Sequence, residues 1–204
     1  MFELRAWLQM QLLWDATRDP ATLVAQFVAG FYGPVAAPHV LTHIHAWEDA
    51  ISKGAAAINS STWSGLFTSC QCPYPCPGGC WQQPWVSVEA VVRSATALST
   101  AVSELGLDTA NEEYARRTTR VLLSSWWLAL MRWDDACAFA TAAGIRWPLA
   151  SRMNESLAGW ERAMLQHGIV FGPGACPDKS PDGVCWNAST YADTNTSGRV
   201  CQLK

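Results

Sequence analysis

Four cysteines fall within eleven positions in the run CQCPYPCPGGCW: Cys70, Cys72, Cys76 and Cys80. Thiols at this density either hold a metal as thiolates or cross-link the chain. The spacing is C-x-C-x3-C-x3-C, unlike the paired C-x2-C of common zinc sites, and no histidine lies within it. Disulfides are therefore the expected chemistry. Cys137, Cys176, Cys185 and Cys201 bring the total to eight, an even number that suits a disulfide framework. Cys137 lies in an apolar helical stretch and is expected to pair with a cysteine of the Cys-rich loop or of the tail. The pairings themselves stay open.

A second signal points to the same oxidising environment. Asn-X-Ser/Thr acceptor triplets occur at Asn59, Asn154, Asn187 and Asn195, and only Asn111 of the five asparagines lies outside one. A secreted or secretory-lumen location is the expectation. The opening MFELRAWLQMQLLWD does not read as a signal peptide. It carries Glu3, Trp7 and Trp14 and lacks a small-residue cleavage site. A fragment of a longer protein, or a truncated gene model, reconciles the two readings.

Other residue groups suggest acid–base, metal or nucleophilic chemistry, and each has a plainer role. The carboxylate neighbours are Glu48–Asp49, Glu112–Glu113 and Asp134–Asp135. Adjacent helical side chains diverge by about 100°, so none of these makes a facing pair alone. Glu112 and Glu113 fit a first helical turn, where acids complement the helix dipole. Asp134 and Asp135 read as solvated or salt-bridged. His39 and His43 share a helix face at i, i+4, but the Glu of an H-E-x-x-H motif is missing and His45 points elsewhere. They read as surface or interface histidines. STWSGL lacks the first glycine of a nucleophile elbow, and GPG at 172–174 is turn chemistry. Trp81 and Trp85 flank the Cys-rich loop as a speculative sugar-stacking platform, although packing beneath the staples is the favoured reading. No catalytic residue, metal site or cofactor is expected from these patterns.

The elements that must position these groups are helical. Half of the 204 residues are hydrophobic and 15% are charged, which excludes disorder throughout. A net charge of -3 gives no footing for nucleic acid. The most apolar run, Val121 to Met131, is closed by Arg120 and Arg132 and is far short of the roughly 18 residues of a membrane span. A first helix is expected over Glu3–Trp14, apolar all round and so suited to burial from several sides. Asp19 caps a second helix with Pro20 in its first turn, and Gly33–Pro34 ends it. A third covers Pro38–Ser52. A fourth covers Val88–Leu105 between Ser87 and Gly106. A fifth runs from Asp108 past Trp133 towards Ala143, and a sixth covers Leu149–His167, with Leu157, Trp160, Met164 and Leu165 inward. No period-two alternation supports a sheet. The expected fold is all-α, an antiparallel assembly of about six helices with a stapled loop and a stapled tail.

Two stretches carry a resemblance. ELRAWLQMQLLWDATRDPATLVAQFVAGFYGPVAAPHV, through Leu12, Leu13, Trp14, Asp15, Phe31, Tyr32, Gly33, Ala36 and Ala37, resembles the domain of unknown function 4838 family. ANEEYARRTTRVLLSSWWLALMRW resembles a later helix of the same family through Tyr114, Arg120 and Val121. That family is glycoside-hydrolase-like and related in organisation to alpha-glucuronidases and hexosaminidases. The resemblance covers 2–53 well and 87–167 loosely. It implies that residues 1–53 are helices at the end of a barrel domain and that 87–170 form a helical C-terminal region. Composition alone marks 54–86 as an inserted Cys/Pro/Gly-rich loop and 171–204 as a Cys-containing, Ser/Thr-rich tail, and neither has a counterpart in the resemblance. The resemblance also implies an upstream catalytic barrel as partner, with glycan as substrate. Carboxylates of such barrels sit at strand ends that this chain lacks, so no catalytic residue carries over. The expected function is a non-catalytic helical portion of a secreted glycoside-hydrolase-like protein. A stand-alone, disulfide-stapled extracellular glycan-binding or structural module is the alternative.

Overall fold

The computed structural model describes residues 2–55, 87–106, 109–149, 151–166 and 201. Six α-helices carry the described residues: α1 (Phe2–Trp14), α2 (Pro20–Ala55), α3 (Val88–Leu105), α4 (Glu112–Met131), α5 (Trp133–Ala142) and α6 (Met153–Gln166). One 3-10 turn, Thr109–Asn111, leads into α4. The fold is the all-α, antiparallel assembly expected from the sequence. α3 lies against both α2 and α4, α5 packs on α3, and α6 returns onto α4.

Local chemistry sets several boundaries. Asp19 accepts hydrogen bonds from the Ala21 and Thr22 amides at 3.3 and 2.9 Å, satisfying donors that the first turn of α2 leaves open. Ser87 Oγ accepts from Ala90 N at the start of α3. At its end Gly106 adopts φ 63 and returns its N–H to the Val102 carbonyl. Three expected boundaries differ. The stop expected at Gly33–Pro34 is present, with Gly33 non-helical (φ 82, ψ 160), but the next helical arm starts at once rather than at Pro38, so the second and third expected helices run on as two arms of one bent element. The fifth expected helix breaks at Arg132 (φ -113, ψ 30), between α4 and α5. Leu149, Ser151 and Arg152 precede α6 rather than opening it.

Packing explains both irregularities. The break at Arg132 turns α5 so that Trp133 is buried, edge-on to Trp147 with ring centroids 5.3 Å apart. The helical periodicity continues through Arg132, but burying a large indole outweighs one residue of regular backbone. At Gly33 a Cβ would meet ring carbons of Tyr114 at 2.7 to 2.9 Å, and positive φ disfavours any other residue. Pro34 then opens the second arm of the helix, where a missing N–H costs least. Arg117 donates to the Phe31 carbonyl at 2.8 Å, serving backbone beside the kink, and lies 4.1 Å over the Phe31 ring.

Two cores flank α3. Val28, Tyr32, Ala36 and Val40 of α2 recur every fourth residue and meet Leu98, Ala101 and Leu105. The buried alanines let the helices approach closely. The other core gathers Val91, Val92, Leu123, Leu130, Trp133, Trp147, Met153 and Trp160. There Trp160 Nε1 donates to the Leu123 carbonyl at 2.9 Å and pins α6 to α4. Cys137 of α5 is disulfide-bonded to Cys201, whose amide also donates to the Ser151 carbonyl at 2.7 Å.

Gly33→Ala is expected to lower unfolding free energy by roughly 2–4 kcal/mol, combining strained backbone with a steric clash. Adding Tyr114→Ala relieves only the clash, so urea titration of the double variant should leave the backbone share of the loss in place. Cys201→Ser opens a link spanning 64 residues. The chain-entropy argument puts its loss at up to about 4 kcal/mol, read from the denaturant midpoint.

Candidate functional site

The kink and the neighbouring helices line a cavity of about 450 Å³ that opens to solvent. Its walls come from α1 (Glu3), α2 (Phe31, Tyr32, His43, Trp47) and α4 (Glu113, Arg117, Arg120, Val121, Ser125, Leu128). This size falls within the range of small-molecule sites. The lining combines three aromatic side chains with two acids and two guanidinium groups.

One end is built on a hydrogen-bond chain across three helices. His43 Nδ1 lies 2.5 Å from Ser94 Oγ of α3, which lies 3.0 Å from Ser125 Oγ of α4. Ser125 Oγ in turn donates to the Val121 carbonyl at 3.4 Å. Ser94 and Ser125 are buried. Each hydroxyl has one proton. A chain that ends on a carbonyl, which only accepts, uses every bond if the protons run one way: His43 Nδ1–H to Ser94, Ser94 to Ser125, Ser125 to Val121. That direction leaves His43 Nε2 as a bare acceptor. Burial lowers the His43 pKa to about 4, so the ring stays neutral at physiological pH.

The other end is aromatic and ionic. Phe27 and Phe31 stack with centroids 5.0 Å apart, Trp7 of α1 tilts onto Phe27 at 5.5 Å, and Arg117 covers Phe31. Glu113 accepts from Arg117 Nε at 2.7 Å and from Arg116 at 2.5 and 2.9 Å, and the Arg116 hydrogen bond leads the causes that lower its pKa. A carboxyl group held ionised in this way does not donate a proton near neutrality. Burial, with Glu3 nearby, raises Tyr32 to about 12 and keeps the phenol protonated.

The residues singled out in the sequence disperse. His39 Nε2 pairs with Glu104 at 2.9 Å and His45 with Glu48 at 2.9 Å, so neither joins His43 around a metal. Among the described residues no cluster of three His, Cys, Asp or Glu side chains is placed to hold one. Glu112 and Glu113 open α4, and Asp135 pairs with Arg132 at 3.0 Å in the first turn of α5. Asp49 lines a smaller polar hollow of about 230 Å³ between α2 and α3. Asn154 lies in the first turn of α6, where Ser156 of its triplet is buried. Cys70, Cys72, Cys76, Cys80, Cys176, Cys185, Asn59, Asn187, Asn195, Trp81 and Trp85 lie outside the described residues, as do the side chains of Leu157 and Leu165. No described helix is long and apolar enough to cross a membrane.

The sequence reading of His43 as a surface or interface histidine missed its serine partners. The available signal was Ser94, a polar residue on an otherwise apolar stripe with Val91 and Leu98.

A family model described as "Domain of unknown function (DUF4838)" matches residues 1–45. The matched segment is α1, the turn after it, and α2 through the kink as far as His45. No curated protein matches the chain, and no solved structure matches it.

The neutral His43 makes stability depend on pH. The unfolded chain binds a proton near the ordinary value of 6.5, whereas the folded ring resists it until about 4. Stability is therefore complete above pH 6.5 and falls as pH drops towards 4, by up to roughly 3 kcal/mol in total. Denaturant midpoints measured from pH 7 to 4 should show this slope, and His43→Leu should flatten it.

Proposed function

We propose that this chain is the non-catalytic helical portion of a secreted glycoside-hydrolase-like protein, seated against the catalytic barrel of that protein. The observation that carries the reading is the outward face of α1. Met10, Leu13 and Trp14 lie at i, i+3 and i+4 on one stripe and are 61%, 87% and 89% exposed. A contiguous apolar stripe in water is a docking surface. It falls within the segment that resembles the DUF4838 family. The expected all-round burial of this helix is thus met on its inner side alone, by Leu4 against the core and Trp7 against Phe27.

Two further points support a role without chemistry. Glu113, an acid of the cavity wall, is fixed as a carboxylate between two arginines. Asp134 and Asp135 are exposed at a helix start, where the dipole and Arg132 account for them. The acceptor triplets and the density of cysteines support the secretory location.

The isolated chain is expected to release no chromophore from nitrophenyl glycosides, while the native polypeptide containing these residues does. Turnover by the isolated chain would overturn the non-catalytic role. Leu13→Glu with Trp14→Gln should leave the thermal midpoint of the isolated chain unchanged and suppress its self-association in sedimentation velocity. In the native polypeptide the same pair should lower stability and activity together. Full activity there would remove the docking role of α1.

A further inference from the structure

We propose that the cavity between α1, α2 and α4 binds a small neutral ligand bearing hydroxyl groups, held by an O–H donated to His43 Nε2 and packed against Trp47. This inference rests on the cavity and does not require the role proposed for α1.

The ligand class follows from what the walls have left to offer. Their formal charges cancel: Glu3 and Glu113 against Arg117 and Arg120. Arg117 is already committed to Glu113, the Phe31 carbonyl and the Phe31 ring, and Arg120 also has its own partner. An anion would have to displace these contacts. A cation would find Glu113 engaged by Arg116 and Arg117, and Glu3 exposed to water on α1 beside Tyr32. Away from that exposed acid, the polar groups without a hydrogen bond among the described residues include two neutral ones. They are His43 Nε2, an acceptor by the proton order of the His43–Ser94–Ser125 chain, and the Tyr32 hydroxyl, a donor and acceptor. Both side chains line the cavity.

Tyr32 and His43 lie on the two arms of α2, on either side of the Gly33 kink, and both line the cavity. The His43 end has the indole of Trp47, the aliphatic Leu128 and the buried Ser125 beside the acceptor. An apolar wall next to one fixed acceptor suits a molecule with C–H faces and hydroxyl edges, such as a cyclic polyol or a single sugar ring. The chain through Ser94 and Ser125 supplies the preorganisation. With its protons running from His43 to the Val121 carbonyl, it holds Nε2 as the acceptor before the ligand arrives.

Nitrogen-15 NMR of histidine side chains in the chain at pH 7 tests this without a variant. His43 is expected to be neutral, protonated on Nδ1 and bare on Nε2. Titration with myo-inositol or glucose should move the Nε2 resonance saturably in the direction of an accepted hydrogen bond, with inorganic phosphate leaving it unmoved. By calorimetry, His43→Phe should weaken polyol binding about five- to tenfold, the effect of one lost hydrogen bond, and His43→Gln should recover part of it. A proton found on Nε2 in the free protein would overturn the proposal. So would a His43 signal that answers to phosphate and not to the polyols, or to none of the three.

Discussion

A single backbone inversion at Gly33 governs how the helices meet. A straight α2 would carry its two arms along one line. The positive φ of Gly33 turns them, and the ring of Tyr114 fills the space where any side chain at that position would stand. Two independent constraints therefore demand glycine, one torsional and one steric. The bend also removes backbone from regular pairing, and Arg117 supplies a donor there. The same arginine lies over Phe31, so α4 is tied to α2 at the bend by a hydrogen bond and a cation–π contact, while Glu113 of α4 itself holds the guanidinium in place. The upper arm carries Phe31 and Tyr32 and the lower arm His43 and Trp47. The hollow between them exists because the helix turns.

The lower arm is held by a different device. His43, Ser94 and Ser125 belong to three helices and meet in an otherwise apolar interface. Such a chain contributes little net stability, because each group gives up water to join it. Its value lies in register. A helix that slid by one residue would bury unsatisfied hydroxyl and imidazole groups, at a cost well above that of losing an apolar contact. The alanines of α2 and α3 make this necessary, since small flat surfaces tolerate sliding better than interlocked large ones. The polar chain restores the specificity that the alanines give away.

Local signals in the sequence were legible where one or two residues decide the backbone. Asp19–Pro20, Ser87 and Gly106 mark their helix ends because capping needs only near neighbours. Gly33–Pro34 was legible as an interruption but not as a bend. Whether a chain stops or turns depends on the partner waiting beyond, here Tyr114, eighty-one residues away. The break at Arg132 had no local signal, since the pull came from the pocket that receives Trp133. The hydrogen-bond chain was hidden for the same reason: His43 and Ser94 are 51 residues apart, and Ser94 and Ser125 are 31 apart. Carboxylate pairs adjacent in sequence drew attention, yet the acids that share a cavity wall, Glu3 and Glu113, lie on different helices.

The family model matches residues 1–45, and a helix from beyond that segment closes it. Tyr114 of α4 covers Gly33, and Val121 joins the core built around Tyr32, Ala36 and Ala37. The outward stripe of α1 has no such partner among the described residues. Each of Met10, Leu13 and Trp14 would gain up to roughly 1.5–3 kcal/mol on full burial, comparable with a large share of a domain's net stability. Leu13 and Trp14 belong to the resembling pattern, as Gly33 does. Gly33 is satisfied within the chain, by Tyr114. Residues of one pattern thus differ: Gly33 closes on the chain itself, whereas Leu13 and Trp14 stay exposed.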